Sequence, residues 1–312
     1  MSSKLIPAGR RTPAWQMQGG FISWDASQKV TPQQAAAAAG LDTEVTTHPI
    51  YSHDGTPIPK KVETWRDGKH GGIVGKDSYH VISWMEDVLP FTNALTYETP
   101  YSVVAAGKMK NGMQELMIME WPEEVLVHGE RFTGYGYVRN SHDGSLALSM
   151  MTTMQRITCT NQLTGLMRRN FTLRLKHTRS WSSKIEEARQ FLGLTLDTID
   201  AFTLQVQEEL AVEFTRHQFN KVVEQIAPLK ENGVLKEGRG LTMAENARDS
   251  LWASYAADDL NNIRGTVFGA KQALGAYYDW AYSSDKSRAL RALSGSTAGQ
   301  KAKAAALVDA LV

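Results

Sequence analysis

Three Asx–Gly pairs, Asp54–Gly55, Asn111–Gly112 and Asp143–Gly144, limit what this chain can fold into more than any other feature. Each stands between runs that alternate apolar and polar residues. Such pairs favour the positive-φ turns that close antiparallel hairpins. The flanking runs are HPIYSHDGTPIPKKVETW followed by GKHGGIVGKDSYHVISW, then SVVAAGKMKNGMQELMIMEW, then FTGYGYVRN with LALSMMTTMQRI. FTLRLKHT alternates as one further strand. Short helices interrupt this pattern. Thr31 is a natural N-cap, Pro32 suits a first turn, and Gly40 stands where a C′ glycine belongs. A second short helix is expected from about Trp84 to Leu95, and a third in TNQLTGLMRR after Cys159.

From about Ser183 the periodicity changes. Phe191, Leu194, Ile199, Phe202, Val206, Leu210 and Phe214 recur at helical spacing between Ile185 and Ile226, and Pro228 with Gly233 ends the run. Thr242 with Glu245 has the spacing of a capping box ahead of the next helix, and Leu260 to Tyr282 forms another. Residues 283–296 suggest a loose connection before a final short helix. The fold class is α+β: an N-terminal antiparallel, hairpin-rich sheet with short helices, followed by an all-α C-terminal region. The expected domains are 1–182 and 183–312. No period of roughly 20–50 residues recurs, which excludes a repeat array.

A chain of 312 residues with 42% hydrophobic and 21% charged content is long and apolar enough to bury a substantial core. The single cysteine, Cys159, excludes an intrachain disulfide and fits a reducing compartment. The start, MSSKLIPAGRRTPAWQ, lacks the apolar segment of a signal peptide, and no run approaches the ~18–20 apolar residues that span a bilayer. A cytoplasmic protein without membrane partners is the expectation.

Charge is evenly balanced overall, with 34 basic and 33 acidic residues. Against that background, Gly144 to Lys184 contains seven Lys or Arg and no acidic residue. The cations are Arg156, Arg168, Arg169, Arg174, Lys176, Arg179 and Lys184, with Phe171, His177 and Trp181 among them. A single-stranded polyanion is held by such a surface, its phosphates on the cations and its bases on the rings. Alternation puts Arg174 and Lys176 on one face of their strand and Leu173, Leu175 and His177 on the other. The nucleic-acid-binding candidates are therefore Arg156, Arg168, Arg169, Arg174, Lys176, Arg179, Trp181 and Lys184. The competing reading is a solvated face whose cations pair with Glu186, Glu187, Glu208 or Glu209.

The segments RITCTNQL and LRLKHTRSW resemble the signature of a phage- and plasmid-encoded family, the domain of unknown function 932. TPAW, AAAAAGLDTEV, GIVGKDSYHVI, YETPYSV, NSHDGS and the tyrosine-rich C-terminal helix with its RALRAL segment follow in the family's order. The resemblance covers nearly the whole chain. It implies a phage, prophage or plasmid context, hence DNA metabolism, host takeover or counter-defence, and it supplies no catalytic residues. Gln16 departs from the family pattern, which has a histidine after the TPAW tryptophan, and Thr43 stands where an aromatic is common.

Other motifs carry less. His142 and Asp143 at a turn tip suit acid–base or metal chemistry, yet turns favour Asn, Asp and Gly for backbone reasons alone, and no further ligand spacing accompanies them. Cys159 before a helix N-terminus can be an activated thiol, or a small buried apolar residue. The run from Gly71 to Asp77 is one residue short of a phosphate-binding loop, and Asp77 stands where Mg²⁺ needs Ser or Thr, so it reads as a glycine-rich hairpin. Arg10, Arg11, Trp15 and Trp24 form either a mobile clamp or a segment tied down by its aromatics. The leading expectation is a phage-type DNA-metabolism protein that binds single-stranded nucleic acid, as a recombination or strand-annealing accessory. It names no cofactor and no metal and counts a homo-oligomer among its candidate partners, while whether the chain is an enzyme stays open. The alternatives are a nucleotide- or nucleic-acid-processing enzyme using His142, Asp143 and Cys159, or an interaction protein that blocks a host or phage partner.

Overall fold

A computed structural model describes residues 21–90, 92–93, 101–156, 172–178, 200–281 and 296–312. Local signals built α1 as expected, while β1 was not anticipated. Strand β1 (Phe21–Ser23) leads into α1 (Pro32–Ala38), where Thr31 and Gln34 exchange side-chain-to-backbone bonds in a capping box and Gly40 ends the helix at φ +65°. Strands β2 (Val45–Tyr51), β3 (Pro57–Arg66) and β4 (Lys69–Gly75) form a three-stranded antiparallel sheet. A π-helical turn spans Trp84–Val88 and buries Trp84 and Val88.

The main sheet uses β5 (Ser102–Met109), β6 (Gln114–Val127), β7 (Glu130–Ser141), β8 (Leu148–Arg156) and β9 (Thr172–Leu175). Its order is β1-β5-β6-β7-β8-β9, antiparallel throughout, so consecutive strands are neighbours except where β1 joins β5. Each predicted Asx–Gly pair joins two strands. The His128–Gly129 and Asp67–Gly68 turns also have positive φ at both residues, and they join β6 to β7 and β3 to β4.

One face of the main sheet packs Met117, Met119, Val138, Leu148, Met150 and Leu175 beneath α1 and the Trp84 turn. The other face packs Leu116, Ile118, Tyr135 and Tyr137 with Phe21 and Ala26. Burying each such side chain contributes roughly 1.5–3 kcal/mol.

The C-terminal region is helix-rich. A helix α2 covers 200–211 of the described residues, followed by α3 (Arg216–Ile226), the small hairpin of β10 (Lys230–Glu231) and β11 (Val234–Leu235), α4 (Gly238–Tyr255), α5 (Val267–Ala276) and α6 (Ser296–Asp309). The chain is therefore α+β as expected, while the residue 182/183 boundary lies outside the described residues. The helical core recruits Val127, Phe132 and Met154 from the main sheet, with Phe132 edge-on to Phe202 and Phe268.

Two expectations about the helices are corrected. The periodic run up to Ile226 is broken among the described residues, because Thr215 and Gln218 form a capping box that starts α3 afresh. Thr242 caps nothing. It lies inside α4, where its hydroxyl donates back to the Gly238 carbonyl at 3.2 Å. Helix α5 is buried at all ten positions, which explains why it shows no polar face. Gly269 makes its close packing possible, since a Cβ there would stand 2.1 Å from the Ile263 carbonyl oxygen.

Candidate functional site

Strand β9 is the last strand in the order of the main sheet, and of the basic window's cations it carries Arg174, with Lys176 just beyond its end. Arg174 and Lys176 are exposed, whereas Leu175 and His177 between and after them are buried. Alternation thus directs the cations to one side and the imidazole to the other. No carboxylate among the described residues pairs with Arg174 or Lys176. Glu209, a candidate partner by sequence, instead binds Lys271. The register places Arg139, Ser149 and Arg174 in one row across β7, β8 and β9. Burial, with the neighbouring Arg174 charge, lowers the Arg139 guanidinium to about 10 despite the opposing pull of Asp143. Arg156 closes β8, and Arg168, Arg169, Arg179, Trp181, Lys184, Phe171 and Cys159 lie outside the described residues.

On the opposite side of β9 lies a polar network that the sequence did not announce. Glu115 on β6 is fully buried, and it accepts from Arg66 Nη1 at 2.5 Å, His142 Nε2 at 3.0 Å and Asn140 Nδ2 at 3.1 Å. Burial alone would raise its pKa. The His142 hydrogen bond and the Arg66 charge outweigh that and hold the carboxyl below its usual range. Arg66 also donates to the carbonyls of Gly112 at 3.0 Å and Gly40 at 3.1 Å, tying the β5–β6 turn to the end of α1. Thr64 donates to the His142 carbonyl at 2.7 Å, and Tyr79 donates to the Ser141 carbonyl at 3.1 Å. This network seats the three-stranded sheet on the main one.

His142 is therefore not the exposed turn-tip residue that its motif suggests. It is 1% exposed, and Glu115 orients its ring from within the core. Asp143 accepts from the Ser145 amide at 2.9 Å and the Ser145 hydroxyl at 2.5 Å, which is turn-forming work. The glycines at 71 and 72 serve packing: a Cβ on Gly71 would meet Met113 and Thr64, and one on Gly72 would meet the Asp143 backbone at 2.7 Å. They lie in β4, so no phosphate-binding loop forms there. No group of three or more His, Cys, Asp or Glu among the described residues is arranged to hold a metal ion.

His177 stacks on Tyr79 with ring centroids 4.9 Å apart, and its Nδ1–H donates to the His80 carbonyl at 3.1 Å. Burial pushes its pKa down to about 4. Below pH ~6.5 the unfolded chain takes a proton here that the folded chain refuses, so stability falls as pH drops from 6.5 towards 4. The loss from this one group is expected to reach about 2–3 kcal/mol by pH ~4.5. Urea titrations at pH 7 and 4.5 measure it, and His177→Gln, which keeps a donor for the His80 carbonyl, should flatten the difference. An equal pH slope in the variant would assign the acid sensitivity elsewhere.

No helix among the described residues is long and apolar enough to cross a membrane. Comparison with curated proteins and with solved structures finds no match. A family model described as Domain of unknown function (DUF932) matches residues 72–304, from within β4 to within α6. Since that match covers most of the chain, including the Glu115 network's β6 and β7 partners and the cations of β9, this protein belongs to the DUF932 family.

Proposed function

We propose that this protein binds single-stranded nucleic acid through the basic face that includes β9, acting as a recombination or strand-annealing accessory of phage or plasmid origin. The observation that carries this reading is the pair Arg174, on the last strand of the main sheet, and Lys176, just after it, both exposed and free of carboxylate partners among the described residues. They stand within a stretch of seven cations and no acid. Unpaired cations at strand spacing follow a phosphate backbone, and aromatic residues nearby add stacking that tolerates any base. An enzyme built on His142 is disfavoured by the burial of that ring and its partner Glu115.

The test is fluorescence anisotropy of a labelled ~40-mer single strand at about 50 and 200 mM salt. With about six phosphates neutralised, affinity should fall roughly 10²- to 10³-fold over that range. Arg174→Ala with Lys176→Ala should weaken binding at the lower salt and reduce the log–log salt slope by about 1.4, two contacts' worth. Absence of binding at the lower salt, or an unchanged slope in the variant, overturns the proposal. A co-purifying protein without nucleic-acid affinity would instead favour partner capture.

A further inference from the structure

Among the described residues, the β2–β3–β4 sheet packs one of its faces, through Thr64, Arg66 and Val74. On the other face, near the turn end of the central strand β3, stands Trp65, which is half-buried and belongs to none of the three apolar cores. Trp65 pairs with Thr46 on β2 and with His70 on β4. The His48 and His70 rings stand nearly perpendicular to the indole, with centroids 6.4 and 5.8 Å away at 86° and 77°. Together with Glu44 and Glu63, Trp65 and His48 line a groove of about 510 Å³. The indole Nε1–H is buried and has no hydrogen-bond partner among the described residues. Packing accounts for a tryptophan under a sheet. It does not account for one on the other face, between two imidazoles, with an idle donor.

A second groove, of about 310 Å³, adjoins the first and shares Asp67 with it. Its chemistry is opposite: Lys69, Lys108 and Lys110 line it, beside the backbone of Asn111 and Gly112. Asp67 is already met by Lys108 Nζ at 3.1 Å, while Lys69 and Lys110 are exposed and have no carboxylate partner among the described residues. Lys110, Asn111 and Gly112 have φ of 48°, 58° and 91°. Successive amides in such a turn present their N–H groups to one concavity, which favours an anion.

We propose that these two grooves form a nucleotide site, with the base on Trp65 between the imidazoles and the phosphate at Lys69, Lys110 and the 110–112 turn. Flat aromatic surface on an open sheet face is the usual platform for an unstacked base, and carboxylates at its edge accept from the base's donor groups. Guanine, with two adjacent donors on its pairing edge, matches Glu44 best, since Glu63 is already met by His70 Nε2 at 3.5 Å. The ligand is either a free nucleotide or one unit of a single strand. The site is independent of β9.

Calorimetric titration of the intact protein with guanosine 5′-monophosphate, guanosine and inorganic phosphate tests this, alongside anisotropy of the ~40-mer. The monophosphate should bind more tightly than either fragment. Trp65→Ala should weaken the monophosphate and guanosine about tenfold or more. Lys69→Gln with Lys110→Gln should weaken the monophosphate and leave guanosine unchanged. Those two lysines are exposed, so that variant decides the matter even where Trp65→Ala fails to fold. Monophosphate binding without 40-mer binding identifies a free nucleotide, and it would reject the strand proposal while sustaining this one. A 40-mer that binds and is weakened by both variants, with no monophosphate binding, identifies a strand unit. If neither variant alters the affinity for the monophosphate or the 40-mer, the site does not exist, whatever the result at Arg174 and Lys176.

Discussion

Glu115→Ala is expected to lower the unfolding free energy by about 3–5 kcal/mol, because it strands a buried guanidinium. Arg66 and Glu115 side chains are both fully buried and their contact is 2.5 Å. Truncating the carboxylate removes the acceptor for Arg66, His142 and Asn140 together. Among the described residues Arg66 keeps only the carbonyls of Gly40 and Gly112 as partners, and its Nε already has none. The cost arises from the uncompensated charge more than from the lost contact. Removing both charges, as Arg66→Met with Glu115→Gln, should therefore recover part of the loss. Urea denaturation of the two single variants and the double variant measures this as a cycle. A cost below about 1 kcal/mol for Glu115→Ala would show that water or a rearrangement reaches the site. Acid should act in the same direction: a carboxyl held below its usual range stabilises the fold above the unfolded pKa of ~4.5, and that contribution is lost as pH falls through the folded value.

Lys271→Ala should have a comparable effect, about 3–5 kcal/mol, in the helical region. Lys271 is 1% exposed, and its ammonium donates to Glu209 Oε1 on α2 and to Asp309 Oδ1 on α6, each at 2.8 Å. One charge on α5 therefore joins three helices. Gln205 also donates to Glu209 Oε1 at 2.6 Å, but Glu209 Oε2 has no partner among the described residues, so this carboxylate depends heavily on the lysine. Asp309→Asn should cost much less, since that side chain is 36% exposed. Lys271→Met with Glu209→Gln should restore most of the stability, as apolar replacement of both partners avoids a stranded charge. Chemical denaturation gives the magnitudes, and amide exchange locates them. The amides of α6 should lose protection in Lys271→Ala, although Lys301 still binds Asp279 at 2.6 Å. Unchanged protection there would mean that apolar contacts alone seat α6, through Ala304, Ala305 and Val308.

The elements that sequence reading located correctly share a property: their cause lies within a few residues. A tight turn needs positive φ at its own positions, and Asn111–Gly112 supplies it at 58° and 91° within the four-residue connection from Met109 to Gln114. The Thr31 cap needs only Gln34 three residues on. The alternation of β9 and the residues just after it suffices to leave Arg174 and Lys176 exposed while Leu175 and His177 are buried. The break before α3 was also readable, since Thr215 and Gln218 have capping-box spacing, but the longer apolar period across it obscured that signal.

What the tertiary structure alone decided are the contacts between distant residues. Arg66 and Glu115 are 49 positions apart, and His177 meets the His80 carbonyl across 97. No local pattern distinguishes a histidine that will be drawn into such a network from one left on a turn, so His142 read as exposed chemistry and proved to be core. Nor does the sequence show that β2, β3 and β4 leave the main sheet and turn one face to solvent, with Trp65 and the lysine turn side by side. Backbone sterics and capping bonds act within a turn or two, and the sequence states them directly. Which faces meet depends on the burial gained by the whole chain at once, and that is settled only when the chain is folded.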